Sequence, residues 1–119
     1  MIPGEMYWVE FPTTDGREQS GRRPAIVIQD DAHAGALSSS LVVPVTGQPL
    51  NSRFPATVVV APSDLNGLLK LSVVLVFQMR AVDRRRFHNR IGVVEPEVLA
   101  QIYEALDQLT GRIRTPGAP

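Results

Sequence analysis

The sequence predicts a mainly β domain with one C-terminal helix, its strands bent into an antiparallel sheet or a partly open small barrel. Three observations predict it. Apolar runs of strand length recur along most of the chain, separated by stretches rich in Gly, Pro, Asn and Ser. The hydrophobic period becomes that of a helix only at residues 96–109. The chain has 119 residues, 44% hydrophobic and 20% charged, enough for one core and too apolar for a disordered chain.

Residues 7–11 have strand composition, and residues 12–22, with Thr13, Thr14, Asp15, Gly16, Ser20 and Gly21, read as a long polar loop. Residues 24–29 and 41–46 are nearly continuous apolar runs, the pattern of strands buried in a sheet. Pro44 cannot donate to a ladder, which predicts an edge or a bulge there. Asp30 and Asp31 are suited to cap a short helical turn over residues 32–37, since carboxylate oxygens accept from free N–H groups at a helix start. Residues 57–60 form another strand between two turn-rich stretches. Residues 72–80 read as the longest strand, with Val74, Val76, Gln78 and Arg80 on one face and Val73, Leu75, Phe77 and Met79 on the other. A basic turn at residues 83–86 leads to a last strand at residues 89–94. Leu99, Ile102, Leu106 and Leu109 then share one face of a helix that Pro96 opens and Gly111 ends. The organisation expected is one domain over residues 1–111 and a disordered tail over residues 112–119.

Twelve basic residues balance twelve acidic ones. A formally neutral chain lacks the uncompensated charge that coats long nucleic acids or anionic membranes, and a small local phosphate site remains open. The absence of cysteine removes disulfides, thiolate metal sites and a cysteine nucleophile, and fits the cytosol. No apolar run approaches the roughly 20 residues of a membrane helix, and the N-terminus has no basic segment leading into an apolar one, so no membrane partner is expected. Eleven of the twelve basic residues are Arg, a bias that a GC-rich genome produces as readily as a need for bidentate phosphate contacts.

The sequence holds no phosphate-loop, dinucleotide or nucleophile-elbow motif; Gly16 and Gly21 have phosphate-loop spacing, but Arg22 and Arg23 follow them. His33 and His88 are distant in sequence and have no cysteine to join them, so they read as surface histidines and no metal site is expected.

Three stretches carry more information. Residues 18–28 read Glu-Gln-Ser-Gly-Arg-Arg-Pro-Ala-Ile-Val-Ile; residues 43–46 read Val-Pro-Val-Thr; residues 76–83 read Val-Phe-Gln-Met-Arg-Ala-Val-Asp. Together they resemble the MazF/PemK family of toxin endoribonucleases, and the resemblance runs from Gly4-Glu5 through Arg90-Ile91-Gly92 to the terminal helix. It implies an SH3-like barrel shared with CcdB-like toxins. It also implies a cytoplasmic homodimer that cuts single-stranded RNA sequence-specifically, with no metal or other cofactor, leaving 2′,3′-cyclic phosphate and 5′-hydroxyl ends. The implied inhibitor is a cognate antitoxin whose disordered, acidic C-terminal segment lies across the groove. By the same resemblance Arg23 and Thr46 are catalytic, and Glu18, Gln19, Gln78 and Arg80 bind RNA. The chemistry agrees: attack of a ribose 2′-hydroxyl on phosphorus builds a dianion that needs fixed positive charge and donors. Arg23 offers a planar fork and Thr46 a hydroxyl. Phe77 departs from the family, which usually carries an acidic residue before the glutamine. On a straight strand Phe77 points away from Gln78 and makes the opposite face more apolar.

Simpler readings stand beside these. Arg22 and Arg23 suit a solvated strand entry, and Thr46 suits a strand end by β-propensity; their occurrence together with Glu18-Gln19 and Gln78-x-Arg80 favours the site. Arg84, Arg85 and Arg86 form either a solvated turn or a contact for phosphates or an acidic partner. With Arg80 and Arg90 they face a lone Asp83 in the local sequence, which predicts a basic patch. A CcdB-like gyrase-binding poison needs an aromatic end to the terminal helix, and residues 111–119 have no aromatic side chain. A non-catalytic RNA-binding barrel would present several stacking aromatics, and the chain has a single Trp, Trp8.

Overall fold

In the computed structural model, which describes residues 1–12 and 21–114, Ala25, Ile26 and Val27 are all fully buried. Their strand is covered on both faces, as the unbroken apolar run required. Glu18 and Gln19, and residues 115–119 of the expected tail, lie outside the described residues.

Among the described residues, seven strands and one long helix form in the order β1 Glu5–Glu10, β2 Arg22–Val27, β3 Ser39–Thr46, β4 Thr57–Val60, β5 Ser72–Leu75, β6 Arg80–Asp83, β7 Phe87–Val93 and α1 Pro96–Leu109. The strands pair antiparallel in the order β4-β5-β3-β2-β1-β7, with β6 also against β3. The sheet is not closed: among the described residues β4 and β7 are its two ends. The mainly β architecture with a terminal helix is the one the sequence predicts.

Side-chain alternation builds a core on each face. Met6, Ile26, Val43, Val45, Val74 and Ile102 meet on the helix side. Val9, Ala25, Val27, Val42 and Val82 meet on the other, closed by Tyr7, Phe11 and Phe87. The Tyr7 and Phe87 rings stand edge to face at 5.8 Å. Helix α1 presents Val98, Leu99, Ile102, Ala105 and Leu106 to the core, and burying Ile102 alone contributes about 1.5–3 kcal/mol. Leu109, assigned to this face by its spacing, is instead half exposed at the last turn. Pro96 does open the helix, and Gly111, at φ +79°, follows its end. Asp30 caps the turn Asp31–His33 by accepting from the Ala32 N–H at 3.0 Å.

The strand expected at residues 72–80 is broken. Thr46 and Val45 face Val73 and Val74 on β5, but Val42 faces Arg80 on β6, so the register advances by three residues between them. Those three, Val76–Gln78, leave the ladder as a 3-10 turn opposite Val43 and Pro44, closed by the Met79 N–H donating to the Val76 carbonyl at 3.0 Å. Pro44 has no N–H to offer at this point, so the excursion sits where the ladder is weakest. The face assignment for Phe77 and Gln78 fails with the strand. Phe77 packs its ring on Phe54 at 5.7 Å, and β3, not this segment, is the longest strand.

Candidate active site

Arg23 is the second residue of β2, opposite Val9 of β1, and the last charged residue before the chain enters the core. Pro24 follows it and limits its backbone to extended conformations. Its side chain is exposed and makes no ion pair or hydrogen bond among the described residues. Thr46 ends β3 directly after the buried Val45, and its hydroxyl oxygen accepts from the Gln48 N–H at 3.3 Å. That bond occupies an oxygen lone pair and leaves the O–H proton to donate. Gln78 ends the 3-10 turn that interrupts the strand. Arg23, Thr46 and Gln78 line one open cleft of about 580 Å³, together with Gln48 and Asn51. The excursion between β5 and β6 is what brings Gln78 there. Arg80 does not line it; its guanidinium lies over the Phe11 ring at 5.6 Å.

A second chamber of about 500 Å³ shares Pro24, Val45, Thr46 and Gly47 with the first and is walled by Trp8, Leu68, Leu69 and Lys70. Sequence reasoning missed Trp8, Lys70, Gln48 and Asn51 as site residues. The one available signal for Lys70 was its being the only Lys among the basic residues. No described carboxylate lines either chamber.

The loop that carries Leu68 to Lys70 is held by a buried hub. Asn66, fully buried, accepts from the Ser63 and Leu68 N–H groups at 3.0 Å each and donates to the Ala61 carbonyl at 2.9 Å and to Glu95 at 3.2 Å. The Ser63 hydroxyl donates to Glu95 at 2.5 Å, and with the Asn66 amide it holds that carboxyl below its usual range. Gly67, at φ +72°, passes so close to β7 that a Cβ would lie 2.4 Å from the Ile91 carbonyl oxygen.

The expected basic patch keeps two of its five guanidiniums without a described carboxylate, Arg80 and Arg84, and pairs the other three. Arg85 pairs with Asp83 at 3.1 Å, Arg86 with Glu10 at 3.7 Å and Arg90 with Glu5 at 2.8 Å, while Arg84 donates to the Ala34 carbonyl. Glu5 and Glu10 lie on β1, far away in sequence, and folding brings them beside these arginines. Burial raises the Glu5 pKa, but the Ile2 N–H, Arg90 and the N-terminal charge outweigh it, so its carboxyl stays below the usual value. His33 is exposed, whereas His88 turns a buried Nε2 toward Glu10 at 3.5 Å. Among the described residues no three His, Cys, Asp or Glu side chains gather as a metal site, and no helix is long and apolar enough to cross a membrane.

Among the described residues, a small open β sheet sets a guanidinium without an ion-pair partner, a hydroxyl and a carboxamide around a cleft that no described carboxylate lines, an arrangement suited to anionic, hydrogen-bonding ligands. Residues 2–110 match the model of the PemK-like, MazF-like toxins of type II toxin-antitoxin systems, and the chain belongs to that family. It is 32% identical to the endoribonuclease toxin MazF of Escherichia coli K12 over 109 residues, 91% of this chain and 92% of that one. It is 29% identical to the endoribonuclease EndoA of Bacillus subtilis over 103 residues, 87% of this chain and 88% of that one. Its fold superimposes on a MazE-MazF crystal structure from Deinococcus radiodurans with TM-score 0.76 at 30% identity, covering 95% of this chain and 97% of that one.

Proposed function

We propose that this chain is an endoribonuclease toxin that cuts single-stranded RNA in the Arg23–Thr46 cleft without a metal, leaving 2′,3′-cyclic phosphate and 5′-hydroxyl ends. The observation that carries the reading is the pairing of a guanidinium free of described carboxylates with a threonine whose hydroxyl proton is left to donate. The ribose 2′-hydroxyl gives its proton to solvent water as its oxygen bonds to phosphorus; the bond from phosphorus to the 5′-oxygen breaks, and that oxygen takes a proton from water to leave as the 5′-hydroxyl. Arg23 neutralises the charge growing on the nonbridging oxygens and donates an N–H toward the leaving 5′-oxygen. Thr46 donates to a nonbridging oxygen. The described residues that line the cleft include no imidazole and no carboxylate, so what these residues contribute is charge and hydrogen-bond donors. Gln78, Gln48 and Asn51 supply the carboxamides that read bases or hold the backbone.

The same reading gives the chain a cytoplasmic site of action, a homodimeric state and a cognate antitoxin whose acidic, disordered segment covers Arg23. Its support is family membership and the likeness to toxins solved with their antitoxins. The test is cleavage of single-stranded RNA in EDTA, with the ends of the fragments identified. Cutting in EDTA with 5′-hydroxyl products is expected. A strict need for added magnesium, or 5′-phosphate products, overturns the mechanism.

A further inference from the structure

The chamber beside the cleft has features that cleavage at Arg23 and Thr46 does not use. Lys70 extends its side chain across Gly47: a Cβ on that glycine would lie 2.2 Å from the Lys70 Cε and 2.7 Å from its Nζ. The ammonium therefore lies against the residue that follows Thr46. No carboxylate pairs with it among the described residues. Leu69, next to it, is 98% exposed, an orientation that burial in this chain does not explain. Trp8, 41% exposed, sits on β1 opposite Pro24 and closes the other wall.

We propose that this chamber holds the nucleotide adjacent to the scissile phosphate and sets the base preferred there, with the base against Trp8 and the leucine wall and a phosphate on Lys70. This rests on the endoribonuclease reading above. The geometry supports it in three ways. The chamber shares Thr46 and Gly47 with the cleft, so a chain whose scissile phosphate lies on Thr46 has its neighbouring nucleotide at the chamber mouth. An exposed indole beside aliphatic side chains is a stacking platform for a nucleobase. A lone ammonium at the rim answers a phosphate and has no carboxylate to answer instead.

Trp8 is the only tryptophan, so its fluorescence reports the chamber without interference. Heptanucleotides fully 2′-O-methylated, one for each base, cannot be cut and serve as probes. At least one should quench Trp8 by roughly a quarter or more and bind about tenfold more weakly to the Lys70→Gln protein. On a random single-stranded RNA pool, Lys70→Gln should raise KM about tenfold with the cleavage motif kept. Trp8→Leu should broaden the motif at one position next to the cut. Gly47→Ala, whose methyl would displace the Lys70 side chain at an ordinary backbone conformation, should reproduce the Lys70→Gln effect while the fold melts as the parent does. A parent that cuts RNA, with all three variants matching it in motif and KM, overturns the chamber and leaves the endoribonuclease reading standing. A parent that cuts no RNA removes both. Quenching by antitoxin peptide but by none of the four probes assigns the chamber to the peptide and overturns the proposal.

Discussion

Replacing Thr46 by valine separates a hydroxyl that acts on phosphate from one that merely finishes a turn. Valine keeps the β-branch and the strand preference at the end of β3, so the backbone stays in place. The only described bond lost is the one from the Gln48 N–H, at 3.3 Å and exposed, which water replaces at a cost of about 0.5–1 kcal/mol. If the hydroxyl donates to the developing dianion, its loss removes a transition-state donor, worth roughly 10²–10³ in rate, or about 2.7–4 kcal/mol. The two sizes do not overlap. Initial rates on a fluorogenic single-stranded RNA, measured beside urea unfolding, read both numbers on one sample. The expected result is a fall in kcat of roughly a hundredfold or more with a urea midpoint close to the parent's. A Thr46→Val protein within about tenfold of the parent rate refutes the catalytic assignment, because a donor removed from the transition state cannot cost so little.

Two further outcomes are expected. Asn66→Ala strips the Ser63 and Leu68 N–H groups and the Ala61 carbonyl of their partner, and should lower unfolding stability by about 2–5 kcal/mol in urea; a loss under about 1 kcal/mol would mean that water replaces the hub. Glu5 has a folded pKa below the ordinary 4.5, so its contribution to stability is complete above that value and is lost as pH falls through the folded pKa. Melting temperature should therefore drop on acidification below about pH 4.5, and less steeply in Glu5→Gln; identical acid slopes in the two proteins would discard the argument.

Elements set by local chemistry were legible in the residues. Unbroken apolar runs marked β2 and β3, a change of period marked α1, and Pro96 and Gly111 marked its ends. The break at residues 76–78 was not legible, because alternation continues through an apolar stretch whether or not the ladder does. What interrupts it is the partner strand, where Pro44 lies far away in sequence. The same holds for charge. A count along residues 80–90 finds one carboxylate, but the fold supplies Glu5 and Glu10 from β1. In the candidate site, Arg23, Thr46 and Gln78 were nameable because they stand in recognisable motifs. Trp8 and Lys70 were not, since only the shape of the loop around Asn66 carries the second to the first.

The buried hub at Asn66 also bears on how such a protein changes over generations. Arg23 and Thr46 are each anchored within two residues of core side chains that are almost wholly inaccessible, so their placement is inherited with the fold and resists drift. Leu69 and Lys70 sit on a loop whose attachment is concentrated at one asparagine and the closely packed glycine after it. Substitutions at the loop's tip then leave the core contacts untouched, while substitutions at its foot do not. On the proposed reading, in which the chamber sets the preferred base and Arg23 and Thr46 cut, a lineage revises its RNA preference at the loop's tip while the cutting residues stay fixed, provided that residues 66 and 67 are left alone.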